Sequence, residues 1–156
     1  MLYLFYQKDL WNNNLVIISL QRKIYLHCFS NSLRTKNSII DLMSDQKSII
    51  NKGGTLRLGN YPCSLVKNTL AYNDYKKDMI YERHRHRYEF NNKYKELLEE
   101  NGLVFSGRNV LSNLVEIIEL PNHKHFIASQ FHPEFKSRPT KAHPLFLSFI
   151  KASISK

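Results

Sequence analysis

Long apolar stretches are missing from this sequence of 156 residues. A membrane-spanning helix needs roughly 20 consecutive apolar residues, whereas the longest apolar run here extends from Leu15 to Leu20 and is interrupted by Ser19. That run is also too short, and lies too far into the chain, to be the apolar part of a secretory signal peptide. The sequence therefore predicts a cytoplasmic protein of one domain at most.

Cysteine is scarce as well. Only Cys28 and Cys63 are present, which excludes a scaffold of several disulfides. The seven histidines do not combine with them into the regularly spaced ligands of a structural zinc site. We therefore predict that the chain holds no metal.

Acidic residues are few relative to basic ones. The chain has 23 Lys and Arg against 13 Asp and Glu, so its formal net charge is +10. One interpretation is a small basic binding module for nucleic acid or another polyanion. The other, which we favour, is a diffuse excess of basic residues without a basic face. The binding module stays open as the alternative function.

From residue 39 onward, turn residues and apolar periodicity predict a mixture of strands and helices. A turn at Gly59-Asn60 separates the first two predicted strands. The predicted strands are 55–58, a second through 65–66, most of 79–90, 103–106, 114–120 and 126–131; the predicted helices are 69–75, 92–101 and one that begins near Pro144. This order predicts an α/β sandwich or a part of one.

The sharpest local feature is QFHPEF at residues 130–135, at the end of a predicted apolar strand. His132 can move protons near neutral pH, and Glu134 can accept its second ring N–H and fix the tautomer. Pro133 favours an extended conformation at His132. These residues match the base and the orienting group of a nucleophile–base–orienter triad. A solvated loop without a catalytic role remains the alternative, because so short a motif recurs by chance.

A second feature is ERHRHRYE at residues 82–89. On an extended strand Arg83, Arg85 and Arg87 share one face, and His84 and His86 share the other. Such a row of arginines can bind a carboxylate or a phosphate. It can also be a solvated edge strand whose charges discourage aggregation. The motif by itself does not choose among these interpretations.

Taken together, the segments from residue 39 onward resemble the CTP synthases. The resemblance is carried, in the family's order and spacing, by IDLM (40–43), KGGTLRLG (52–59), ERHRHRYEFNN (82–92), SGR (106–108), LVEIIELPNH (114–123), QFHPEF (130–135) and AHPLF (142–146). It implies the C-terminal part of a class I glutamine amidotransferase domain over residues 39–156, a flavodoxin-like α/β sandwich without its N-terminal strands and nucleophile elbow. Residues 1–38 show no resemblance and are interpreted as divergent or frame-disrupted sequence, so that the chain would be a fragment.

The resemblance also implies functions for individual residues. CTP synthases make CTP from UTP, ATP and glutamine; the amidotransferase domain hydrolyses glutamine, and a separate synthase domain binds ATP and Mg²⁺. By resemblance His132 is the base and acid of glutamine hydrolysis, Glu134 orients it, and Arg87 binds the glutamine. The family's nucleophile, a cysteine in a G-x-C-x-G elbow, has no counterpart, since neither Cys28 nor Cys63 has flanking glycines. We therefore expect an inactive chain without a cofactor of its own, whose partners are glutamine and the missing synthase domain.

Overall fold

The computed structural model describes residues 2–6, 16–20, 40–42, 57–86 and 88–155. Within these ranges the chain forms nine strands, three α-helices and two 3₁₀ turns. Their order is β1 (Leu2–Tyr6), β2 (Val16–Leu20), β3 (Ile40–Leu42), β4 (Arg57–Leu65), α1 (Leu70–Tyr75), β5 (Met79–His86), β6 (Tyr88–Phe90), a 3₁₀ turn (Asn92–Tyr94), α2 (Lys95–Glu100), β7 (Val104–Asn109), β8 (Val115–Glu119), β9 (Phe126–Ser129), a second 3₁₀ turn (Pro133–Phe135) and α3 (Pro144–Ile154).

Seven of these strands form one sheet in the order β2-β1-β9-β8-β7-β4-β5, and β3 pairs with β6 separately. Every described strand pair is antiparallel. β9 lies between β1 and β8, so that Ser129 is opposite Tyr3 on one side and opposite Ile117 on the other. The strand that leads into the QFHPEF segment is therefore held from both sides.

β4 is a single strand that pairs with β5 over most of its length. The turn predicted at Gly59-Asn60 is wrong, because Gly59 lies inside β4 opposite His84 and has a φ of +117°. Glycine adopts a positive φ without the steric penalty of a side chain. The ladder with β5 therefore continues through a residue whose local preference favoured a turn.

Two of the predicted helices begin at caps that the sequence supplies. Thr69 caps α1, and the carboxylate of Glu119 on β8 accepts the first two N–H groups of this helix at 2.8 and 2.7 Å. His143 caps α3, and Pro144 occupies its first turn. Both helices are thereby confirmed. None of the helices in the described ranges is long and apolar enough to cross a membrane.

The apolar core joins the sheet to α1 and α3. Its buried members are Cys63, Leu65, Ala71, Ile80, Ile117, Ile127, Phe131, Leu145 and Phe149. Gly107 of β7 lies where no side chain fits, since a Cβ there would be 2.7 Å from Ile117 Cγ1 and 2.9 Å from Cys63 Sγ. The glycine is therefore required by close packing between β7 and its neighbours.

Candidate active site

His132 lies three residues beyond the end of β9 and directly before the second 3₁₀ turn. Its backbone is extended, with φ −106° and ψ 91°, as expected for a residue that precedes proline. Its N–H donates to the carbonyl oxygen of Arg83 on β5 at 2.8 Å. The predicted base thus leaves the sheet in a defined direction, tied to β5, which lies three strands beyond β8 in the sheet order.

The His132 ring and the Glu134 carboxylate are in direct contact, with Nδ1 2.7 Å from Oε1. A carboxylate oxygen accepts a hydrogen bond, so Nδ1 carries the proton of the neutral ring and Nε2 keeps a lone pair. The side chain of His132 is 7% exposed, whereas that of Glu134 is 41% exposed. The two side chains are therefore in the contact that the sequence predicts, while their roles as base and orienting group stay a prediction.

A third side chain fixes the plane of the imidazole. The Phe135 ring lies parallel to the His132 ring, with centroids 4.7 Å apart and planes inclined by 5°. Together with the bond to Glu134, this stacking restricts both the tilt and the rotation of His132.

The ERHRHRYE segment lies on β5 and β6, and β5 alternates between exposed and buried residues. Arg83 and Arg85 are exposed, whereas His84 and His86 are buried. The alternation predicted for these four residues is confirmed. Arg87, the predicted glutamine-binding residue, lies outside the described residues. The alternative of a basic binding module, which would use the exposed arginines, stays a prediction.

A set of five buried charged or ionisable side chains lies between β4, β5, β6 and β8. We refer to these as the polar cluster: Arg57, His84, His86, Glu89 and Glu116. Arg57 binds two carboxylates, with Nη1 3.4 Å from Glu89 and Nη2 2.5 Å from Glu116. Of these five residues, sequence reasoning singled out only the two histidines. The one available signal for Glu116 was a carboxylate between the apolar residues Val115 and Ile117 of a predicted strand, because a carboxylate that is buried there requires a partner.

The two histidines of the polar cluster form a polarised chain. His86 Nδ1 lies 3.0 Å from the carbonyl oxygen of Tyr88, and His84 Nδ1 lies 2.7 Å from His86 Nε2. Because a carbonyl only accepts, both rings carry their proton on Nδ1. Burial lowers the pKa of His84 to about 2 and that of His86 to about 3, so both are neutral at physiological pH. In this state each ring donates one hydrogen bond within the fold, His84 to His86 and His86 to the carbonyl oxygen of Tyr88.

Glu116 has the most perturbed carboxylate of the cluster. Burial raises its pKa to about 7, although Arg57 acts in the opposite direction. The main physical reason is that a buried carboxylate loses the hydration that stabilises its charged form, and the nearby Glu89 carboxylate raises the pKa further. Its Oε2 faces His84 Nε2 at 3.6 Å, and protonation of the carboxylate removes the repulsion between two lone pairs.

Within the described residues, Cys63 does not qualify as a nucleophile and no cluster of side chains forms a metal site. Cys63 is completely buried, and burial raises the pKa of its thiol, so that it is not a thiolate at neutral pH. Cys28 lies outside the described residues. In the described part of the chain, no three His, Cys, Asp or Glu side chains come together in a way that could hold a metal ion.

Comparison with known proteins identifies the family to which this geometry corresponds. Residues 14–152 match the family model of class I glutamine amidotransferases. The CTP synthase of Clostridium kluyveri is 61% identical over 121 residues, and that of Caldanaerobacter subterraneus subsp. tengcongensis is 59% identical over 121 residues. In each case the match covers 78% of this chain and 22% of the relative. The chain therefore spans about a fifth of the length of the curated relatives it matches.

A solved structure gives the same result for the fold. The glutaminase domain of Trypanosoma brucei CTPS, with acivicin bound to it, is similar to this chain with a TM-score of 0.65 and 36% sequence identity. The likeness covers 74% of this chain and 45% of that chain. It confirms the predicted fold class, a part of the α/β fold of class I glutamine amidotransferases. The family match begins at residue 14, inside the segment 1–38, so the domain boundary after residue 38 stays a prediction.

Proposed function

Because the chain belongs to the class I glutamine amidotransferase family, we propose that it is the His- and Glu-bearing part of the glutaminase site of a CTP synthase. The observation that carries the proposal is the 2.7 Å contact between His132 Nδ1 and Glu134 Oε1 at the end of β9. The similarity to CTP synthases over 78% of the chain supports the reaction in which this site takes part, the synthesis of CTP from UTP, ATP and glutamine.

In this proposal His132 acts first as a base and then as an acid. Its Nε2 takes the proton of a cysteine thiol that another part of the enzyme supplies, and the thiolate attacks the side-chain amide carbon of glutamine. The imidazolium then gives that proton to the departing nitrogen, so that ammonia leaves and a thioester remains. A water molecule then gives a proton to Nε2 and attacks the thioester carbon; the C–S bond breaks, glutamate leaves, and the cysteine sulfur takes the proton back from Nε2. Glu134 keeps the proton on Nδ1 throughout, which leaves Nε2 as the reacting nitrogen.

The remaining assignments belong to the same proposal. Arg87 binds the α-carboxylate of glutamine, a role that suits the planar guanidinium. The ammonia passes to a synthase domain, to which we assign the ATP and Mg²⁺ chemistry of the family, and we expect the reaction in the cytoplasm. Since the thiol of Cys63 is buried and has a raised pKa, we propose that the chain alone does not hydrolyse glutamine.

A graft tests the assignment directly. The 121 matched residues of the Clostridium kluyveri CTP synthase are replaced by the corresponding residues of this chain. We expect the grafted enzyme to form CTP from glutamine, and His132→Ala to lower this glutamine-dependent rate about 10²–10⁴-fold, the usual contribution of a general acid–base residue. CTP formation from added ammonia bypasses glutamine hydrolysis and should remain unchanged.

The matched control is His123→Ala, since His123 lies in the turn between β8 and β9 and its Nδ1 is 3.1 Å from the carbonyl oxygen of His125. This variant should keep both activities. Unchanged glutamine-dependent activity in His132→Ala would show that the proposed role of His132 is wrong. The 156-residue chain itself, incubated with glutamine, should release no ammonia above the background rate; release that persists in a Cys63→Ser variant would point to a nucleophile elsewhere.

A further inference from the structure

We propose that Gln130 is a positioning residue for His132: its buried side-chain amide fixes the strand end that carries the base against β6 and β8. The inference rests on the proposed function, because it concerns the residue that we assign as the base. The side-chain hydrogen bonds of Gln130 go to β6 and β8 and not to the His132–Glu134 pair, so its action on His132 is indirect.

The side chain of Gln130 makes three hydrogen bonds to two other strands. Its Oε1 accepts the N–H of Phe90 at 3.1 Å, and its Nε2 donates to Glu89 Oε2 at 2.8 Å and to the carbonyl oxygen of Val115 at 2.5 Å. Only one orientation of the amide is possible, because the Phe90 N–H can only donate and the Val115 carbonyl can only accept. The residue is 2% exposed, so water does not replace these partners readily.

These side-chain bonds matter because Gln130 lies directly after the end of β9, two residues before His132. β9 ends at Ser129, and the next residues lie beyond its regular pairing. Two backbone bonds continue the contact: the N–H of Gln130 donates to the carbonyl of Glu116 at 2.9 Å, and that of His132 donates to the carbonyl of Arg83 at 2.8 Å. The segment 130–132 is therefore held by β8 at its start and by β5 at its end, and the Gln130 amide adds β6.

Loss of the amide would affect both packing and geometry. Three buried groups, the Phe90 N–H, the Val115 carbonyl and the Glu89 carboxylate, would each lose a partner. Relaxation of the strand end by about 1 Å is enough to lower a catalytic rate roughly 10²-fold, because reacting groups tolerate little misplacement. A purely structural glutamine would lower stability and leave the His132–Glu134 contact as it is.

The experiment reads the tautomer of His132 in the full 156-residue chain by two-bond nitrogen–proton NMR of the isotope-labelled ring. In the unaltered chain we expect the Nδ1–H form to dominate, as the Glu134 contact requires. In Gln130→Met, which keeps the volume and removes all three hydrogen bonds, the ratio of the Nδ1–H form to the Nε2–H form should fall at least threefold. Retention of the original ratio in the folded variant would overturn the proposal.

A matched control separates positioning from stability. Ile80→Ala removes part of the apolar core without touching any partner of Gln130, so it should lower the melting temperature and leave the His132 tautomer ratio unchanged. A change of the ratio in this control equal to that in Gln130→Met would also overturn the proposal. Where Gln130→Met does not fold, Gln130→Glu decides, because it keeps an acceptor for the Phe90 N–H and loses the donors to Glu89 and Val115.

The outcome is independent of the test of the proposed function. The tautomer ratio is a property of the folded chain and requires neither a nucleophile nor turnover. A ratio that responds to Gln130→Met, combined with full activity of the His132→Ala graft, would refute the catalytic role and leave the positioning in place. A ratio that does not respond to Gln130→Met, combined with the expected loss of activity in the His132→Ala graft, would refute the positioning alone.

Discussion

The apolar core around Ile117 and the polar cluster around Arg57 are both excluded from water, but they are stabilised by different interactions. In the apolar core the side chains gain from burial and close packing, contributions that are non-directional and divided among many contacts. In the polar cluster each group depends on a few named partners at defined distances. The core should therefore tolerate small losses, whereas the polar cluster should respond strongly to the loss of one member.

The two regions also differ in their relation to the candidate site. The buried face of β5 begins with Ile80 in the apolar core and ends with His84 and His86 in the polar cluster. The backbone of Arg83, beside His84, accepts the hydrogen bond from His132. The backbone of His132, the proposed base, is thus tied to β5 directly beside the polar cluster, where directional interactions can specify a position narrowly.

The largest expected effect comes from removal of the shared cation. Arg57→Met leaves Glu89 and Glu116 buried without their guanidinium, and breaking a buried pair from one side typically costs about 3–5 kcal/mol. We expect a loss of this size in the free energy of unfolding, measured with urea. Adding Glu89→Gln and Glu116→Gln should recover a large part of it, since no uncompensated charge then remains. A loss below about 1 kcal/mol, the range of exposed ion pairs, would contradict the described burial of the cluster.

A smaller effect should follow from overpacking of the apolar core. Gly107→Ala introduces a Cβ at 2.7 Å from Ile117 Cγ1 and 2.9 Å from Cys63 Sγ. Overpacking of this kind usually costs about 1–3 kcal/mol, which urea denaturation can resolve. The double variant with Cys63→Ala should lose less than the sum of the two single variants, because one of the clashing atoms is removed. Strict additivity would show that the two residues do not contact each other.

The same contrast explains how much of the molecule could be predicted from the sequence. His132 and Glu134 are two residues apart, so their contact depends on a local turn that Pro133 and the strand end make foreseeable. Arg57 lies 32 residues from Glu89 and 59 residues from Glu116. To predict these pairs one must know the register of several antiparallel strands. A slip of one residue in a strand would turn every one of its side chains to the other face of the sheet.

Single-residue preferences also failed where tertiary pairing outweighed them. Gly59 favours a turn when it is considered with Asn60 alone, yet the ladder with β5 keeps it inside a strand. The alternation of β5 was predicted correctly, because a period of two requires no knowledge of the partner strand. What this alternation could not reveal was the identity of the groups that the buried histidines face.

The third prediction concerns pH. The pKa of Glu116 is raised from 4.5 to about 7 in the folded chain, so unfolding releases its proton between these values and stability falls as the pH rises through this interval. Glu116→Gln removes this titration. The free energy of unfolding of the variant relative to that of the unaltered chain should therefore rise with pH through this interval, by at most about 1.4 kcal/mol per pH unit. The difference between the two urea midpoints, measured from pH 4.5 to pH 8, checks this. The other buried groups titrate in both proteins, so their contributions to the pH dependence of stability cancel in the difference.

The matched control for the pH measurement is Glu100→Gln, an exposed carboxylate at the end of α2. Its stability relative to the unaltered chain should change little across the same range. A difference between Glu116→Gln and the unaltered chain that stays constant with pH, or that changes in the opposite direction, would contradict the assignment of a raised pKa to Glu116.

The smallest effect tests the two aromatic residues on either side of His132. Phe131 is completely buried in the apolar core, whereas Phe135 is 36% exposed and stacks on the imidazole. Phe135→Leu should therefore lower the free energy of unfolding by no more than about 1 kcal/mol, the order of one aromatic pair, and Phe131→Leu should lower it clearly more. In the grafted enzyme, assayed at a temperature where both variants are fully folded, the order should reverse for the rate of glutamine hydrolysis. The reason is that Phe135 stacks on the ring that we propose moves the proton. Equal effects of both substitutions on stability and on rate would mean that stacking adds nothing beyond apolar contact, and that the bond to Glu134 alone orients the base.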